Sequence, residues 1–586
     1  MKLGALLILL PVLAVAVMSP KVRPSAKSPA VVAAAVSGTL TRGPYLQKAA
    51  PNRMTIRWRS SAAVVGRVRY GTSAASLNLS ADEVSATTEH IVELTGLAAN
   101  TIYFYSVGSA TDTLASGPDF YFRTSPAAGT AVSTRVWVLG DAGTATANQT
   151  AVRDAFYTWT GAQVPNLVLQ LGDNAYNSGT DAEFQNAVFN IYPTMMRKVP
   201  FWSCLGNHET AQATAFVDTY PFFSIYTLPA AGECGGVPSG TKHYYSFDYG
   251  NIHFVCLDSM TASRSAGGAM ATWLQSDLAS TTARWIVCYF HHPPYTKGSH
   301  NSDTETELIE MRQNLLPILE AGGVDLVLSG HSHCYERSKL IDGFYATPTL
   351  AAGGTFKNSG DGRTTGTGAY VKPLTGPRDH FGAVYAVAGS AGQATSWTGG
   401  STALVNPTPH PVMFASLLRL GSMVLEINGN RLDASFLNSS GVVEDTFTVI
   451  KQGAADSDGD GVADAFEIAN GMNRFDPSDA TLDTDKDGNT ALAEYLFGLN
   501  PQVPDRYAWN TTRNSTTGFR EITFPTLPQR VYQVFWSDDL AAWHPGSAVV
   551  SGDGATKLWI DDGTVTGTAP SVTPRRFYRV QVGNGP

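Results

Sequence analysis

Residues 135–143 read Arg-Val-Trp-Val-Leu-Gly-Asp-Ala-Gly, an apolar and partly β-branched run that stops at a glycine and an acid. Runs of this length bounded by glycine predict buried strands. Four later runs end in a polar motif in the same way, so five polar groups are expected just past carboxyl strand ends, where open α/β sheets bind ligands. The five motifs are Gly140-Asp141-Ala142-Gly143, Gly172-Asp173-Asn174-Ala175-Tyr176, Gly206-Asn207-His208-Glu209, His291-His292-Pro293-Pro294 and Gly330-His331-Ser332-His333.

A single motif of this kind is weak, because Gly-Asp and Gly-Asn pairs usually form turns. The ordered set is more specific. Hydrolysis of a phosphoester near neutral pH needs a strong nucleophile and positive charge against the phosphoryl oxygens, and a metal pair supplies both. Such a pair requires a bridging carboxylate and a mixed shell of carboxylate, imidazole and amide ligands. The motifs contain these side chains and therefore indicate a two-metal phosphoesterase site.

The length and the charge distribution limit the remaining possibilities. A chain of 586 residues is too long for one core, so three or more domains are expected. The net charge is −9, and residues 456–494 account for all of it with eleven acids and two bases. Because the rest of the chain is balanced and has no basic stripe, a nucleic-acid polymer is excluded as a partner.

The amino terminus predicts export. Lys2 precedes an apolar stretch, residues 3–18, and Pro20 follows it. Since about twenty apolar residues are needed to span a bilayer, the stretch predicts a signal peptide, with a retained anchor as the alternative and no stable membrane insertion. The expected location is secreted, periplasmic or cell-surface. In an oxidising compartment, Cys234 in its Gly-rich loop is the best candidate for a disulfide.

The chain is expected to be a multidomain α+β protein. Residues 40–126 alternate like strands and predict a small antiparallel β-sandwich. Residues 132–452 mix strands with helices expected at 149–158, 271–279 and 305–321, which predicts an α/β catalytic body. The expected divisions are 1–37, signal peptide and linker; 40–126, β-sandwich; 132–452, catalytic domain; 456–501, calcium loops; and 502–586, β-rich module.

Two acidic segments have the spacing of calcium loops. Each places acids at positions one, three and five, glycine at six and glutamate at twelve, the pattern of an oxygen cage closed by a bidentate carboxylate. Asp-rich turns without metal are the alternative, and two full matches favour Ca²⁺. The loops resemble EF-hand and dockerin-like repeats, with a role in stiffening a junction. The predicted ligands are Asp456, Asp458, Asp460, Val462, Asp464 and Glu467 in the first loop, and Asp483, Asp485, Asp487, Asn489 and Glu494 in the second.

The last segment contains four strand-like runs. Its aromatic residues Trp536, Trp543 and Tyr578 fit either a core or a platform for carbohydrate at a cell surface. Core packing is the more frequent use of such residues, so we expect a core.

At its five central motifs the chain resembles the purple acid phosphatases of the calcineurin-like metallophosphoesterase superfamily. The resemblance covers the catalytic body and, more weakly, the preceding sandwich, whose start at Thr41-Arg-Gly-Pro-Tyr-Leu-Gln is similar to that of a fibronectin-like domain found in those enzymes. It implies a central sandwich of two β-sheets flanked by helices. Tyr176 is the most discriminating residue, because related phosphodiesterases typically place a histidine where Ala142 stands and lack this tyrosine.

The resemblance also implies a role for each motif residue. Asp173 bridges the two ions. Asp141, Tyr176 and His333 bind a ferric ion, and Asn207, His291 and His331 bind a divalent iron, zinc or manganese ion.

Two histidines are candidate catalytic groups. His208 follows the ligand Asn207, and His300 follows His291 at the distance of a substrate-facing histidine in plant enzymes of the family. Either imidazole is suited to bind phosphoryl oxygens or to protonate the departing alkoxide. The alternatives are a packed turn residue for His208 and an exposed loop residue for His300.

The expected function is an exported acid phosphatase that hydrolyses small phosphate monoesters. One alternative is a phosphodiesterase or nucleotide hydrolase that uses the same metals. The other is a calcium-stabilised surface-binding protein with a non-catalytic core, which the intact ligand set disfavours because clustered charges are costly to bury.

Overall fold

The structure is a computed structural model that describes residues 38–351, 353–395, 409–572 and 575–584. The predicted signal peptide and linker, residues 1–37, lie outside the described residues. Within the described ranges, no helix is long and apolar enough to cross a bilayer. All five cysteines are described, and all are buried free thiols, so the expected disulfide at Cys234 is wrong.

The amino-terminal region is a β domain of two antiparallel sheets, one of three strands and one of five. Its core contains Trp58 and Tyr105, both 1% exposed. Buried polar contacts dock the domain on the next one: Arg42 Nε donates to Gln185 (2.8 Å), and Tyr45 donates to the carbonyl of Ile225 (2.9 Å). The strands are Leu40–Ala50, Arg53–Val64, Arg67–Gly71, Leu79–Asp82, Thr87–Thr95, Ile102–Gly108, Thr113–Ala115 and Tyr121–Arg123.

The central region is built on two seven-stranded mixed sheets. Strand Thr134–Leu139 lies inside the first sheet, parallel to Leu167–Gln170 on one side and antiparallel to Gly421–Asn428 on the other. In spatial order the first sheet consists of Phe201–Ser203, Leu167–Gln170, Thr134–Leu139, Gly421–Asn428, Arg431–Asn438, Val443–Lys451 and Tyr370–Lys372.

The second sheet has a parallel centre and antiparallel edges. A separate two-stranded sheet pairs Leu340–Asp342 with Thr355–Asn358. In spatial order the second sheet consists of Tyr245–Tyr249, Ile252–Cys256, Trp285–Phe290, Leu326–Ser329, Val384–Ala388, Tyr335–Ser338 and Met413–Leu417.

The two large sheets pack face to face. Val136 and Leu169 of the first sheet and Val287 and Leu328 of the second belong to one buried cluster. Helices cover the outer faces, because the strands there also present apolar side chains: Trp137 stacks on Phe156 with ring centroids 4.1 Å apart.

The helices follow the sequence expectation closely. Three long helical segments were expected at 149–158, 271–279 and 305–321, and the structure has Ala147–Thr160, Ala269–Ser280 and Thr306–Ala321, the last interrupted by a π-helical turn at Met311–Leu315. Shorter helical turns are Asp181–Phe184, Gln185–Phe189, Pro193–Met196, His208–Thr210 and Pro221–Ile225.

The carboxyl-terminal region is rich in β-strands, as expected. Ile522, Phe524, Tyr532 and Val534 form its small core, and Tyr578 packs against that core while Trp543 lies half-buried beneath Arg579. The strands are Asn510–Arg513, Arg520–Phe524, Arg530–Ser537, His544–Pro545, Val550–Ser551, Lys557–Asp561 and Phe577–Asn584. The acidic segment before it has helices Asp464–Ala469 and Ala491–Phe497 and the turn Asp479–Thr481.

Among the described residues, no helix or strand crosses the domain limits expected at 126–132, 452–456 and 501–502. We keep these limits as proposed boundaries.

Candidate metal centre

Each predicted ligand lies at the carboxyl end of a central strand or on the loop that follows it. Asp141 follows Thr134–Leu139 of the first sheet, and His291 follows Trp285–Phe290 of the second. Because the two sheets pack face to face, these strand ends meet at one edge. The expectation of polar groups just past strand ends is confirmed for all five motifs.

The backbone at this edge is strained. Asp141, Asp173 and His331 have φ values of 54°, 52° and 66°, in the left-handed region where non-glycine residues are uncommon. Each such residue costs about 1 kcal/mol or more, and strain of this kind clusters at functional sites.

Two motif glycines are required by the close approach of carboxylates. A Cβ on Gly330 would lie 2.4 Å from Oδ2 of Asp141, and a Cβ on Gly206 would lie 2.3 Å from Oδ1 of Asp173. The glycines therefore let the backbone of one motif contact the acid of another.

Asp141, Tyr176 and His333 form the first donor group. The phenol oxygen of Tyr176 lies 3.3 Å from Oδ1 of Asp141 and 3.3 Å from Nε2 of His333, and Nε2 of His333 lies 3.6 Å from Oδ1 of Asp141. Oxygen and nitrogen ligands about 2.0–2.2 Å from one ion lie about 3 Å from one another. The spacing of the three atoms therefore fits one cation.

Asn207, His291 and His331 form the second donor group. The amide oxygen of Asn207 lies 2.8 Å from Nε2 of His291 and 3.1 Å from Nδ1 of His331. This group also fits one cation.

Asp173 lies between the two groups. Its Oδ2 is 3.5 Å from Nε2 of His291, and one oxygen of Asp173, one of Asp141 and one nitrogen of His291 lie within 4.8 Å of one another. The structure therefore brings all seven predicted ligands together, with the carboxylate expected to bridge in the middle.

Burial controls the protonation of the histidines. It lowers the pKa of His331 to about 3 and that of His333 to about 4, so both imidazoles are neutral at pH 7, as metal ligation requires. Burial also lowers the pKa of His291, but the charge of Asp173 and its hydrogen bond outweigh this effect and raise that pKa to about 10, so a metal that binds His291 would have to displace its Nε2 proton. Burial, followed by repulsion from Asp141, raises the pKa of the Tyr176 phenol.

Contacts outside the seven residues orient them. Nδ1 of His291 lies 2.8 Å from the carbonyl of Leu171, a contact that assigns the proton to Nδ1 and leaves Nε2 as the donor atom. Glu209 accepts three backbone N–H groups, from Asp173 (2.9 Å), Asn174 (2.6 Å) and Gly206 (2.7 Å). Its carboxylate thus joins two ligand-bearing loops.

The candidate catalytic histidines lie at the rim of the centre. The ring of His208 is 4.4 Å from that of Tyr176, and its Nδ1 is 2.7 Å from the carbonyl of Asn177. The ring of His300 stacks on His331 at 3.7 Å. Their side chains are 23% and 30% exposed, so both remain accessible beside the buried ligands.

Two neighbours of the centre were missed by sequence reasoning. Oε2 of Glu305 lies 2.7 Å from Nδ1 of His300 and 3.8 Å from Nε2 of His331. The side chain of Gln393 lies 3.2 Å from Nε2 of His333. Glu305 was visible only as the start of an expected helix, and Gln393 carried no motif signal.

The acidic loops are placed apart from the seven ligands. Oxygens of Asp456, Asp458 and Asp460 cluster within 4.8 Å, as do those of Asp460, Glu467 and Asp479. Asp479 was not among the predicted ligands.

One predicted calcium ligand, Asp464, already has other partners in the protein. Asp464 accepts from the backbone N–H and the hydroxyl of Ser457, both at 2.6 Å, and pairs with Arg474 at 3.2 Å.

In the second loop, carboxylates of Asp483, Asp485 and Asp487 accept backbone N–H groups from within the loop. The side-chain NH2 group of Asn489 donates to Asp487 (2.9 Å), and its backbone carbonyl is the ligand that the loop pattern expects at position seven. Val462 has the same position in the first loop and is fully buried.

Comparisons with known proteins agree with this arrangement. The family model for calcineurin-like phosphoesterases matches residues 134–335, and the model for the N-terminal domain of purple acid phosphatases matches residues 43–124. Both matches end before the acidic loops begin.

Curated relatives are similar over part of their length. Purple acid phosphatase 15 of Arabidopsis thaliana is 27% identical over 321 residues, which are 49% of this chain and 58% of that protein. Purple acid phosphatase 22 of the same plant is 29% identical over 268 residues, which are 44% of this chain and 56% of that protein. The chain therefore spans little more than half the length of these two relatives.

A solved structure shares the fold. Purple acid phosphatase PPD1 from yellow lupin (Lupinus luteus) seeds superimposes with a TM-score of 0.54 at 18% identity, over 71% of this chain and 75% of that chain. The fold thus agrees with the two family-model matches, to the N-terminal domain of purple acid phosphatases over residues 43–124 and to a calcineurin-like phosphoesterase domain over residues 134–335.

Proposed function

We propose that the chain is an acid phosphatase that hydrolyses small phosphate monoesters at this centre. The observation that supports it is the convergence of two three-residue donor groups around one shared carboxylate, Asp173. The first group has the phenol oxygen that suits Fe(III), and the second has the amide and imidazole donors that suit a divalent iron, zinc or manganese ion. In this proposal Asp141, Tyr176 and His333 hold Fe(III), and Asn207, His291 and His331 hold the divalent ion.

The bound ion pair would supply an acidified water and positive charge for the phosphoryl oxygens. The protein supplies the remaining hydrogen bonds. Because Nδ1 of His300 is used by Glu305 and Nδ1 of His208 by the Asn177 carbonyl, Nε2 of each ring is the nitrogen available to substrate. These two nitrogens bind the phosphoryl oxygens, and a protonated ring donates its proton to the leaving alkoxide.

The test combines metal analysis with two substrates. We expect two transition metals per purified chain and a higher kcat/KM for p-nitrophenyl phosphate than for its bis ester. A higher kcat/KM for the bis ester would favour the phosphodiesterase alternative. Turnover of neither ester by protein that holds two metals would favour the non-catalytic surface-binding alternative.

Three further expectations complete the proposal. The apolar segment 3–18 supports export from the cytoplasm. The acidic loops would bind Ca²⁺ for stability rather than catalysis, while contact of the carboxyl-terminal module with carbohydrate or a cell surface rests only on its aromatic residues.

A further inference from the structure

The acidic segment is a duplicated unit. The backbone N–H of the glycine at position six donates to the first aspartate of each loop, from Gly461 to Asp456 and from Gly488 to Asp483, at 3.1 Å in both. The following N–H donates to the aspartate at position five at 2.7 Å in the first loop and 2.8 Å in the second. The two loops therefore have the same local fold.

The duplication extends past the twelve-residue loops. In each unit the closing glutamate is followed by a left-handed glycine, Gly471 or Gly498, and then by an asparagine. The backbone N–H of Asn473 donates to Oδ2 of Asp479 (2.8 Å).

The second unit repeats this contact. The N–H of Asn500 donates to Oδ2 of Asp505 (3.3 Å). Asp479 and Asp505 thus occupy equivalent positions in the two units. In each of them Oδ2 accepts a backbone N–H, and Oδ1 remains for another partner.

Buried carboxylate oxygens in both units lack partners. Glu467 and Glu494 are fully buried, yet neither oxygen of either side chain has a hydrogen-bond partner among the described residues. Burial of an unpaired carboxylate is strongly unfavourable, and a bound cation would supply the missing partner. The other buried carboxylate oxygens of the two units without a hydrogen-bond partner in the described part of the chain are Oδ2 of Asp458 and Asp460 and Oδ1 of Asp479 in the first unit, and Oδ2 of Asp485 and Oδ1 of Asp505 in the second.

Repulsion between the acids is consistent with this interpretation. Burial, followed by the charges of Asp458 and Asp460, raises the pKa of Glu467 to about 8. Burial, followed by repulsion from acids that include Asp505, raises the pKa of Glu494 to about 7.

We propose that each unit binds one Ca²⁺ with a carboxylate from outside its loop, Asp479 in the first unit and Asp505 in the second. The donors are all oxygens, from carboxylates and one backbone carbonyl per loop, and Ca²⁺ takes about six to eight such ligands. The outside acid supplies the ligand that position nine commonly supplies through water. In the first loop Asp464 at position nine already binds Ser457 and Arg474, and in the second loop position nine is Ala491, which has no side-chain oxygen.

The two proposed Ca²⁺ sites lie in the segment that connects the catalytic domain to the carboxyl-terminal module, where bound ions would fix this connection. Arg474 of the first unit binds Asp464 of the same unit and Asp379 of the catalytic domain. Asp505 donates its backbone N–H to Asp487 (3.1 Å), so the second ion would fasten the segment that leads into the carboxyl-terminal module.

Calcium titration tests the ligands. The full chain is dialysed against EGTA, retention of its transition metals is checked by elemental analysis, and Ca²⁺ is titrated calorimetrically. We expect two sites per chain. Asp479→Asn should weaken one site and Asp505→Asn the other, each about tenfold or more because a charged ligand is lost. The new asparagine retains a side-chain oxygen that can accept the backbone N–H of Asn473 or Asn500. The other Ca²⁺ site should keep its affinity in each variant, which shows that the variant is folded.

Asp476→Asn is the matched control. Asp476 is fully exposed, lies three residues before Asp479 and binds only Ser478 through its side chain among the described residues, so both sites should keep their affinity. Wild-type protein that binds no Ca²⁺ would overturn the proposal. So would Asp479→Asn and Asp505→Asn variants that each bind two ions with wild-type affinity.

Trypsin digestion tests the fastening role at Arg506, which is exposed beside Asp505. We expect Ca²⁺ to slow cleavage after Arg506 at least tenfold in wild-type protein and not in Asp505→Asn. Equal cleavage rates with and without Ca²⁺ in wild-type protein would overturn this role. Because the metal centre is not altered, these outcomes are independent of whether the chain is a phosphatase.

Discussion

The phenol oxygen of Tyr176 lies 3.3 Å from Nε2 of His333, although the two residues belong to motifs on different sheets. A phenol and an imidazole at this separation could share a single proton in a hydrogen bond. The presence of Asp141 at the same distance from the phenol favours a cation that all three atoms bind.

Tyr176→Phe tests this group. If the phenolate binds Fe(III), the wild-type protein has a visible charge-transfer band, and the variant should lose it while it keeps two metals. Absorption spectra and metal analysis measure both quantities. Tyr220→Phe is the control, since Tyr220 binds the carbonyl of Ala215 outside the centre and its loss should leave the band intact. A variant that keeps the band would remove Tyr176 from the iron shell.

Asp173→Asn should abolish turnover. The neutral amide has the same shape but bridges two cations poorly, so we expect kcat to fall by about a thousandfold or more. Far-UV circular dichroism should be unchanged, because Oδ1 of the asparagine can still accept the backbone N–H of His208, which lies 2.9 Å from Oδ1 of Asp173. Turnover near the wild-type rate would argue against the bridging role.

Glu209→Gln should lower both the stability of the protein and the metal affinity of the centre, although Glu209 is not one of the predicted ligands. Glu209 accepts three backbone N–H groups from two ligand-bearing loops, and glutamine has only one oxygen to accept them. An unsatisfied buried N–H costs about 1–3 kcal/mol, and loss of such an outer contact typically lowers metal affinity about 10–100-fold. Chemical denaturation and metal titration measure the two effects. Unchanged values for both would mean that Glu209 does not hold the loops.

The sequence predicted the positions of the site residues best where a polar motif directly follows a strand. The run before Asp141 ends where its strand ends, so the position of the ligand followed from a local pattern. The strand before Asn207 is only Phe201–Ser203, and it begins after Pro200, which has no backbone N–H to donate to a neighbouring strand.

Contacts that depend on the path of a loop could not be predicted from local sequence patterns. Glu305 and Gln393 reach the centre from a helix start and a loop whose paths the local pattern does not determine. Asp479 and Asp505 lie beyond the twelve-residue acidic loops, after a left-handed glycine in each unit. The twelve-residue motif predicted Asp464 as a ligand, and its carboxylate also pairs with Arg474.

His300 and Glu305 should act as one unit. Nδ1 of His300 lies 2.7 Å from Oε2 of Glu305, and the other Glu305 oxygen accepts the backbone N–H of Asn301 at 2.6 Å, so the acid fixes both the ring and the loop. Proton donation by a positioned group contributes about 10²–10⁴-fold. We therefore expect His300→Asn to lower kcat about a hundredfold and Glu305→Gln about tenfold.

The double variant distinguishes a positioning role for Glu305 from a merely structural one. If Glu305 acts through His300, His300→Asn combined with Glu305→Gln should be no slower than His300→Asn alone. The loss should also be larger for an alkyl phosphate than for p-nitrophenyl phosphate, because the poorer leaving group depends more on proton donation. Glu307→Gln is the control on the same helix, where Glu307 lies 3.8 Å from Arg264. Losses that multiply in the double variant, or that are equal for the two substrates, would mean that Glu305 supports the fold of the loop and does not position the His300 ring.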